Sequence, residues 1–156
     1  MDLSFCISYS QERKKMERQH ISSGSPWEAA AGYSRAVRVG NLVFIAATAA
    51  TGPNGQPLYP GEAYQQTRYI LARIEAVLRE VGAELSDVVQ TRLYVRDIKR
   101  WEEIGRAHGE VFRAIQPACT MVEVSRLIDP AMMVEVEVMA VIAESEPESE
   151  SAHARD

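Results

Sequence analysis

Two glutamates near the end of the chain are the strongest candidates for acid–base chemistry. Glu135 and Glu137 lie in an alternating stretch at 133–142, in which every second residue is valine, alanine or isoleucine. Because alternate side chains of a strand point to opposite faces, the two carboxylates share the other face with two methionines and a valine. That face is too apolar for open solvent and too charged for a dry core. It suits a subunit interface or the wall of a site.

Each candidate residue also has a structural alternative. Glu135 is a general base or an interface ion-pair partner, since Glu137 shares its face and one of them must be accommodated structurally. Cys119, in the preceding predicted strand, is a thiol nucleophile or a small packing residue. His108 falls on the apolar side of a predicted helix, where we interpret it as packed or hydrogen-bonded. Trp27, in a predicted loop, is interpreted as a packing anchor, with a ligand-stacking ring as the alternative.

The elements that position these residues are predicted in chain order. A hairpin at 33–47 turns at Gly40–Asn41, and an amphipathic helix stops at Gly82. A strand at 88–95 and a helix starting at Asp97 follow, and two strands close the domain. On the strand at 88–95 the alternating pattern predicts one shared face, formed by Val89, Thr91, Leu93 and Val95. On the helix after Asp97 the spacing predicts one stripe that includes Trp101 and Ile104.

This order predicts an α+β fold, in which a mixed sheet carries two helices packed on one face. The opposite face is then uncovered in a single protomer. We expect it to expose Met121, Met133, Met139 and Val141. A patch of this kind is covered most simply by oligomerisation.

Composition favours a single soluble domain in a reducing compartment. The chain has 156 residues, of which 46% are apolar and 25% charged, enough to bury a core without disulfides. Its two cysteines predict neither a disulfide framework nor a paired zinc site, and no run is long enough to span a membrane. We therefore expect a cytoplasmic protein with no membrane partner and no bound metal.

The formal charge of −5 is concentrated in the C-terminal tail. Residues 144–156 hold five acids and one base, so the rest of the chain has 16 bases against 17 acids. We predict a disordered acidic tail at 144–156, a flexible extension at 1–20 that begins at either Met1 or Met16, and a folded domain at 21–143. A nearly neutral body offers no basic field to a phosphate backbone, which argues against a nucleic-acid partner.

Several short motifs occur in the order typical of one family. They are Gly-Tyr-Ser at 32–34, Val-Gly-Asn-Leu-Val-Phe-Ile at 39–45, Gln-Thr-Arg at 66–68, Thr-Arg-Leu-Tyr-Val-Arg-Asp at 91–97, Pro-Ala at 117–118, Val-Glu-Val-Ser-Arg-Leu at 122–127 and Val-Glu-Val-Glu at 134–137. Together they resemble the RidA/YjgF family of enamine and imine deaminases over residues 21–142. The resemblance implies a chorismate-mutase-like protomer and a homotrimer with clefts between subunits. It also implies hydrolysis of 2-aminoacrylate and related 2-imino acids to 2-keto acids and ammonia, without a metal or organic cofactor.

The same resemblance implies roles for individual residues. Glu135 matches the family's water-positioning glutamate and Tyr33 its aromatic residue at the cleft mouth, while Cys119 replaces the arginine that binds the substrate carboxylate. Met121 stands where many members carry a cysteine. A thiol cannot make the bidentate, charge-assisted bonds of an arginine, so we expect an altered substrate. We predict Glu135 and Cys119 as catalytic residues and Tyr33, Thr120 and Met121 as substrate-binding residues, with Arg35, Arg92 and Arg126 as candidates for the missing positive charge.

The sequence thus predicts a hydrolase or deaminase that acts on an imine, an enamine or a related reactive metabolite at an intersubunit cleft. A homotrimer that binds a small molecule without turnover is the alternative. A ribonuclease or translation inhibitor is the least favoured class, because the body lacks a basic patch with interleaved aromatic residues.

Overall fold

The computed structural model describes residues 16–143, so the predicted tail and most of the N-terminal extension lie outside the described range. The strands are β1 (Arg18–Ile21), β2 (Ala36–Val39), β3 (Leu42–Ala49), β4 (Val88–Val95), β5 (Ala118–Glu123) and β6 (Val134–Val141). The α-helices are α1 (Pro26–Ala31), α2 (Ala63–Glu80) and α3 (Trp101–Phe112), and short 3-10 helices lie at Leu85–Asp87 and Ile98–Arg100. None of the helices in this range has the length and apolarity that a bilayer crossing requires.

The strands form one mixed sheet in the order β1-β2-β3-β6-β4-β5. Neighbouring strands are antiparallel except β4 and β5, which run parallel. A parallel pair requires a crossover connection, and α3 supplies it. The helix α2 packs on β3 and β6 and also against α3, so both long helices cover the same face of the sheet. The predicted α+β fold is confirmed.

The alternating pattern of β6 places the core at the centre of the sheet. Its inward residues are at most 1% exposed and form one cluster with the apolar stripe of α2, as predicted; they are Val134, Val136, Val138 and Ala140. The helix α2 stops at the predicted glycine, because Gly82 adopts a φ of +74° and the Ala83 amide donates to the Leu78 carbonyl at 2.9 Å. Glycine takes this left-handed conformation without strain.

A β-bulge at the start of β4 corrects one predicted face. Val88 pairs with Ala140 and Gln90 with Met139, so β4 advances two residues while β6 advances one. Val88 is therefore buried at 3% exposure, whereas Val89 turns outward at 44%. The prediction that Val89 shares a face with Thr91 is wrong, because strict alternation does not account for an inserted residue. The remaining residues of that face share it as predicted and are buried, namely Thr91, Leu93 and Val95.

Three large side chains also differ from their predicted positions. Trp101 is 55% exposed, because a 3-10 helix follows Asp97 and α3 begins only at Trp101. Met121 pairs with Leu93 and packs against the core on the helix side of the sheet, so it does not belong to the open face. Met133 also packs against the core.

The N-terminal part contains two elements that the sequence did not indicate. The strand β1 begins at Arg18, before the predicted domain start at residue 21, and is held by backbone pairing with β2 although its side chains are mostly exposed. The predicted loop at 22–27 runs into α1, a single short helix with Pro26 in its first turn. Proline is favoured there because its missing N–H would have no partner in the helix.

Replacing neighbouring valines by alanine tests the bulge. We expect Val88→Ala to lower the free energy of unfolding by about 1–3 kcal/mol, through lost burial and a residual cavity. We expect Val89→Ala to change it by less than about 0.5 kcal/mol, since the side chain is already solvated. Urea denaturation of both variants and the wild-type protein measures the difference. A larger loss for Val89→Ala would place that residue in the core and contradict the bulge.

Candidate functional site

A cavity of about 460 Å³ lies beside the end of β3 and the start of β6. Its walls come from α1 and the residues before it, from the loop at 51–55, from α2 and from the segment at 126–132. The titratable side chains that line it are Tyr33, Arg35, Arg73, Arg126 and Glu135. Tyr33 and Glu135, predicted from the sequence as site residues, therefore meet in one cavity of a single protomer.

The Arg35 side chain is the buried centre of the cavity wall. It is 8% exposed and lies just before β2. Its Nη1 donates to the Ala47 carbonyl at 2.9 Å and the Thr48 hydroxyl at 3.1 Å, while Nη2 donates to the Tyr33 hydroxyl at 3.1 Å. The Ala47 carbonyl is free to accept because β3 has a bulge between Ile45 and Thr48. There, β3 advances by three residues while β6 advances by two. The bulge of β3 thus supplies the acceptors for a buried cation.

Glu28 of α1 holds the other side of the same guanidinium. Its carboxylate lies 3.6 Å from Arg35 Nε, and this nitrogen has no hydrogen-bond partner among residues 16–143. Burial alone would raise the pKa of Glu28, but hydrogen bonds from Ser22 and Ser23 and the charge of Arg35 bring that pKa below its ordinary value. Glu28 is therefore a fixed anion that ties α1 to the sheet.

Glu135 is a second carboxylate near Arg35, and its environment differs from that of Glu28. Burial raises the pKa of Glu135 above its ordinary value, and the positive charge of Arg35 opposes this shift only in part. Within the described residues Glu135 makes no side-chain hydrogen bond and no ion pair. Its carboxyl group is therefore available to a ligand and gains a proton more readily than an ordinary glutamate.

Glu137 is the glutamate of β6 that serves as an ion-pair partner. Its carboxylate accepts from Arg92 Nη1 at 2.7 Å and from the Tyr94 hydroxyl at 2.8 Å, both on the neighbouring strand β4. The hydrogen bond to this carboxylate is also the main reason why the pKa of Tyr94 is raised. Among the described residues, Glu137 is thus the paired carboxylate of β6, and Glu135 is the unpaired one. Arg92 is thereby occupied on the open face and does not line the cavity.

The predicted residues of β5 do not line the cavity of their own protomer. Cys119 pairs with Thr91, whose side chain points to the helices, whereas Thr120 pairs with Arg92 on the open face. Glu135 lies on the open face opposite Tyr94, so Cys119 and Glu135 of one protomer occupy opposite faces of the sheet. Cys119 is nevertheless exposed, because β5 forms one edge of the sheet. The roles predicted for Cys119, Thr120 and Met121 thus require a second copy of the chain.

His108 has the structural role that we interpreted from its helix position. Its Nε2 lies 2.9 Å from the Thr91 hydroxyl, which joins α3 to β4. Burial lowers the pKa of His108, so the neutral imidazole is favoured in this position. His108 does not line the cavity.

Two further residues line the cavity. Arg73 of α2, which has no role predicted from the sequence, is half-buried there. Trp27 is 48% exposed and lines the cavity, so it is not a core residue, and both interpretations given from the sequence stay open. Within residues 16–143 no three His, Cys, Asp or Glu side chains are grouped as a metal site.

Comparisons with known proteins place this geometry in context. The family model described as Endoribonuclease L-PSP matches residues 23–142. A crystal structure of a Mycobacterium tuberculosis member of the YjgF/YER057c/UK114 family has 47% sequence identity and a TM-score of 0.74, covering 81% of this chain and 100% of that one. A RutC family protein of Pyrococcus abyssi is 34% identical over 108 residues, 69% of this chain and 84% of the relative. The 3-aminoacrylate deaminase RutC of Acinetobacter baylyi is 28% identical over 110 residues, 70% of this chain and 86% of that protein.

Exchanging each glutamate of β6 for glutamine tests their different environments. A carboxyl group whose pKa is raised by folding destabilises the folded state when it is ionised. This loss of unfolding free energy is absent below the ordinary carboxyl pKa and grows as the pH rises through the raised value. We therefore expect Glu135→Gln to stabilise the protein above about pH 7 and to have little effect below about pH 4. Urea denaturation across this range measures both limits.

The matched control is Glu137→Gln, on the same face of the same strand. It weakens two half-exposed bonds, so we expect it to lower the free energy of unfolding by about 0.2–1 kcal/mol at neutral pH. If Glu135→Gln proved less stable than the wild-type protein at neutral pH, the environment assigned to Glu135 would be wrong.

Proposed function

The chain belongs to the endoribonuclease L-PSP family, and from this membership and the geometry around Glu135 we propose that it is a hydrolase that deaminates an imine, an enamine or a related reactive metabolite. The observation that carries the proposal is a half-buried carboxyl group with a raised pKa, free of ion pairing among the described residues, in a cavity beside a buried arginine. The similarity to a 3-aminoacrylate deaminase supports the same reaction class.

Glu135 can carry each proton that the reaction moves. In its protonated form it donates to the β-carbon of an enamine and leaves an iminium ion. As a carboxylate it then removes a proton from water while the water oxygen bonds to the C=N carbon, giving a carbinolamine. Glu135 returns that proton to nitrogen, the C–N bond breaks, and the hydroxyl proton passes back to Glu135 as ammonia leaves. Water is consumed and a carbonyl compound is formed, so the reaction calls for neither metal nor organic cofactor.

Arg35 and Tyr33 prepare the site for this chemistry. The guanidinium limits the rise in the pKa of Glu135, so that both protonation states are accessible during turnover. The Tyr33 hydroxyl accepts from Arg35 and can donate its own proton to a substrate in the cavity. Both groups are held before the substrate arrives, which removes the cost of ordering them during the reaction.

We further propose a homotrimer in which β5 of one subunit completes the cavity of the next. Cys119 and Thr120 are exposed on the sheet edge, and the open face carries exposed apolar side chains next to the Arg92–Glu137 pair; these are Leu42, Phe44, Val89 and Val122. Covering this face with other subunits removes it from water. In this assembly the exposed edge of β5, with Cys119 and Thr120, lies against the cavity that contains Glu135 of another subunit, while Met121 stays packed against its own core. A free, exposed thiol supports the reducing cytoplasm as the location.

Ammonia release from freshly generated imines and enamines tests the activity. We expect Glu135→Gln to lower kcat by about 10²–10⁴-fold, because general acid–base catalysis is lost while the shape of the cavity is kept. Glu137→Gln, whose partners are on β4, is expected to keep the wild-type kcat. An equally active Glu135→Gln variant would overturn the assignment. Ligand-dependent thermal stabilisation without product from acidic or neutral substrates would instead establish a binding protein without turnover.

Sedimentation at micromolar concentration tests the trimer. We expect Phe44→Lys to dissociate it, since a charge replaces a 41% exposed aromatic residue on the open face. Trp101→Lys removes an equally large aromatic residue on the helical side, 55% exposed, and is expected to leave the trimer intact. A wild-type protein that sediments as a monomer would refute the proposed assembly, and dissociation by Trp101→Lys alone would place the interface on the helices.

A further inference from the structure

The cavity is larger than a three-carbon imino acid requires. Its volume of about 460 Å³ falls within the range of about 300–1,000 Å³ typical of pockets that enclose drug-sized ligands. A three-carbon substrate beside Glu135 would leave most of this space to water. The lining should therefore indicate what else the ligand carries.

After the charges that compensate one another inside the protein are set aside, the side chains lining the cavity carry a net positive charge. Arg35 faces Glu28 and lies near Glu135, so its charge is compensated inside the protein. Arg73 and Arg126 form no ion pair with any acidic residue at 16–143. Arg73 is half-buried, and its Nη1 lies 3.5 Å from the Tyr69 hydroxyl. Two arginines without acidic partners in one cavity are a site for an anion.

The wall that accompanies these cations is apolar and exposed. Trp27 is 48% exposed and Ile128 is 68% exposed, although both line the cavity. A Cβ on Gly55 would lie 3.3 Å from the indole Nε1, so the ring rests on the loop at 51–55. An indole that contacts the protein at its Nε1 edge and is 48% exposed is suited to stacking with a flat apolar group. Leu127, next to Ile128, adds to the same wall.

We propose that the cavity binds a carboxylate that carries a bulky, flat apolar group, with Arg73 and Arg126 on the carboxylate and Trp27 and Ile128 on the apolar group. If the deaminase proposal holds, on which this reading of the substrate rests, the substrate is an imine or enamine that carries its carboxylate and its flat apolar group away from the C=N carbon beside Glu135. Arg73 belongs to α2 and Arg126 to the segment before β6, so a carboxylate bound by them needs no cation from position 119.

Binding of three stable compounds to the full-length protein tests this proposal without turnover. The probes are 3-phenylpropionate, which has both the charge and the ring; 3-phenylpropanamide, which has the ring alone; and propionate, which has the charge alone. We expect 3-phenylpropionate to bind at least about 10-fold more tightly than either of the others in isothermal titration calorimetry. Equal affinity for the acid and its amide would overturn the anion site, and so would a failure of all three compounds to bind.

Single substitutions assign the two halves of the site. We expect Arg73→Gln and Arg126→Gln to weaken 3-phenylpropionate by about 10- to 100-fold each and to leave 3-phenylpropanamide unchanged. Trp27→Ala should weaken both ring compounds and leave propionate unchanged. Arg79→Gln is the matched control, because Arg79 lies on α2, pairs with Glu75 and does not line the cavity. Arginine variants that bind like Arg79→Gln, while urea denaturation shows them folded, would overturn the assignment.

The outcomes for the site and for the reaction are separable. Ammonia release from small neutral imines together with no preference for 3-phenylpropionate would support the deaminase and overturn the carboxylate site. The expected binding pattern with no ammonia release, either from small imines or from imines and enamines that carry such a carboxylate and apolar group, would support the carboxylate site and overturn the deaminase.

Discussion

The structure around the cavity depends on the burial of one guanidinium group. Taking Arg35 out of water costs several kcal/mol unless its donors and its charge are matched inside the protein. The bulge of β3 presents two acceptors, Tyr33 supplies a hydroxyl and Glu28 supplies the countercharge. Each of these groups belongs to a different element, so the position of α1 and the end of β3 are fixed by the same requirement. The shape of the cavity follows from it.

The strand β6 brings the core and the site together through its period of two. Its inward valines are sealed under α2, and this fixes where the outward glutamates lie. The register with β4 then separates the two carboxylates, since Arg92 and Tyr94 reach Glu137 and leave Glu135 to the cavity. A shift of one residue would bury both glutamates under α2. The packing of the core is thus the condition for the position of the acid.

The sequence predicted the elements with strong periodicity and failed where the period is interrupted. The inward face of β6 and the stop at Gly82 were predicted, because hydrophobic spacing and a left-handed glycine leave direct marks in the sequence. The position of Val89 was wrong because a bulge adds a residue without changing composition. The short helix α1 has too few residues to show a helical period, so the sequence could not indicate which side of α1 carries Trp27.

The site was predicted less completely than the fold, for a related reason. Glu135 and Tyr33 came from a resemblance that spans their strands, and Arg35 was one of three candidate cations. Arg73 could not be identified, because helical periodicity cannot distinguish a residue facing solvent from one facing a cavity formed by distant loops. Cys119 indicated that the arginine of the resembled family is missing at this position. It did not indicate where the chain carries charge instead, since that depends on which elements meet in space.

The state of Glu135 follows from an imbalance between two carboxylates and one cation. Glu28 and Glu135 both lie near Arg35, but Glu28 also accepts hydrogen bonds from Ser22 and Ser23, and these keep its pKa low. Glu135 has no such donors among the described residues, so burial prevails over the attraction to Arg35 and its pKa rises. If Arg35 paired with Glu135 alone, that carboxyl group would be a permanent anion and a poor proton donor. The serines beside α1 thus keep Glu28 ionised as the countercharge of Arg35.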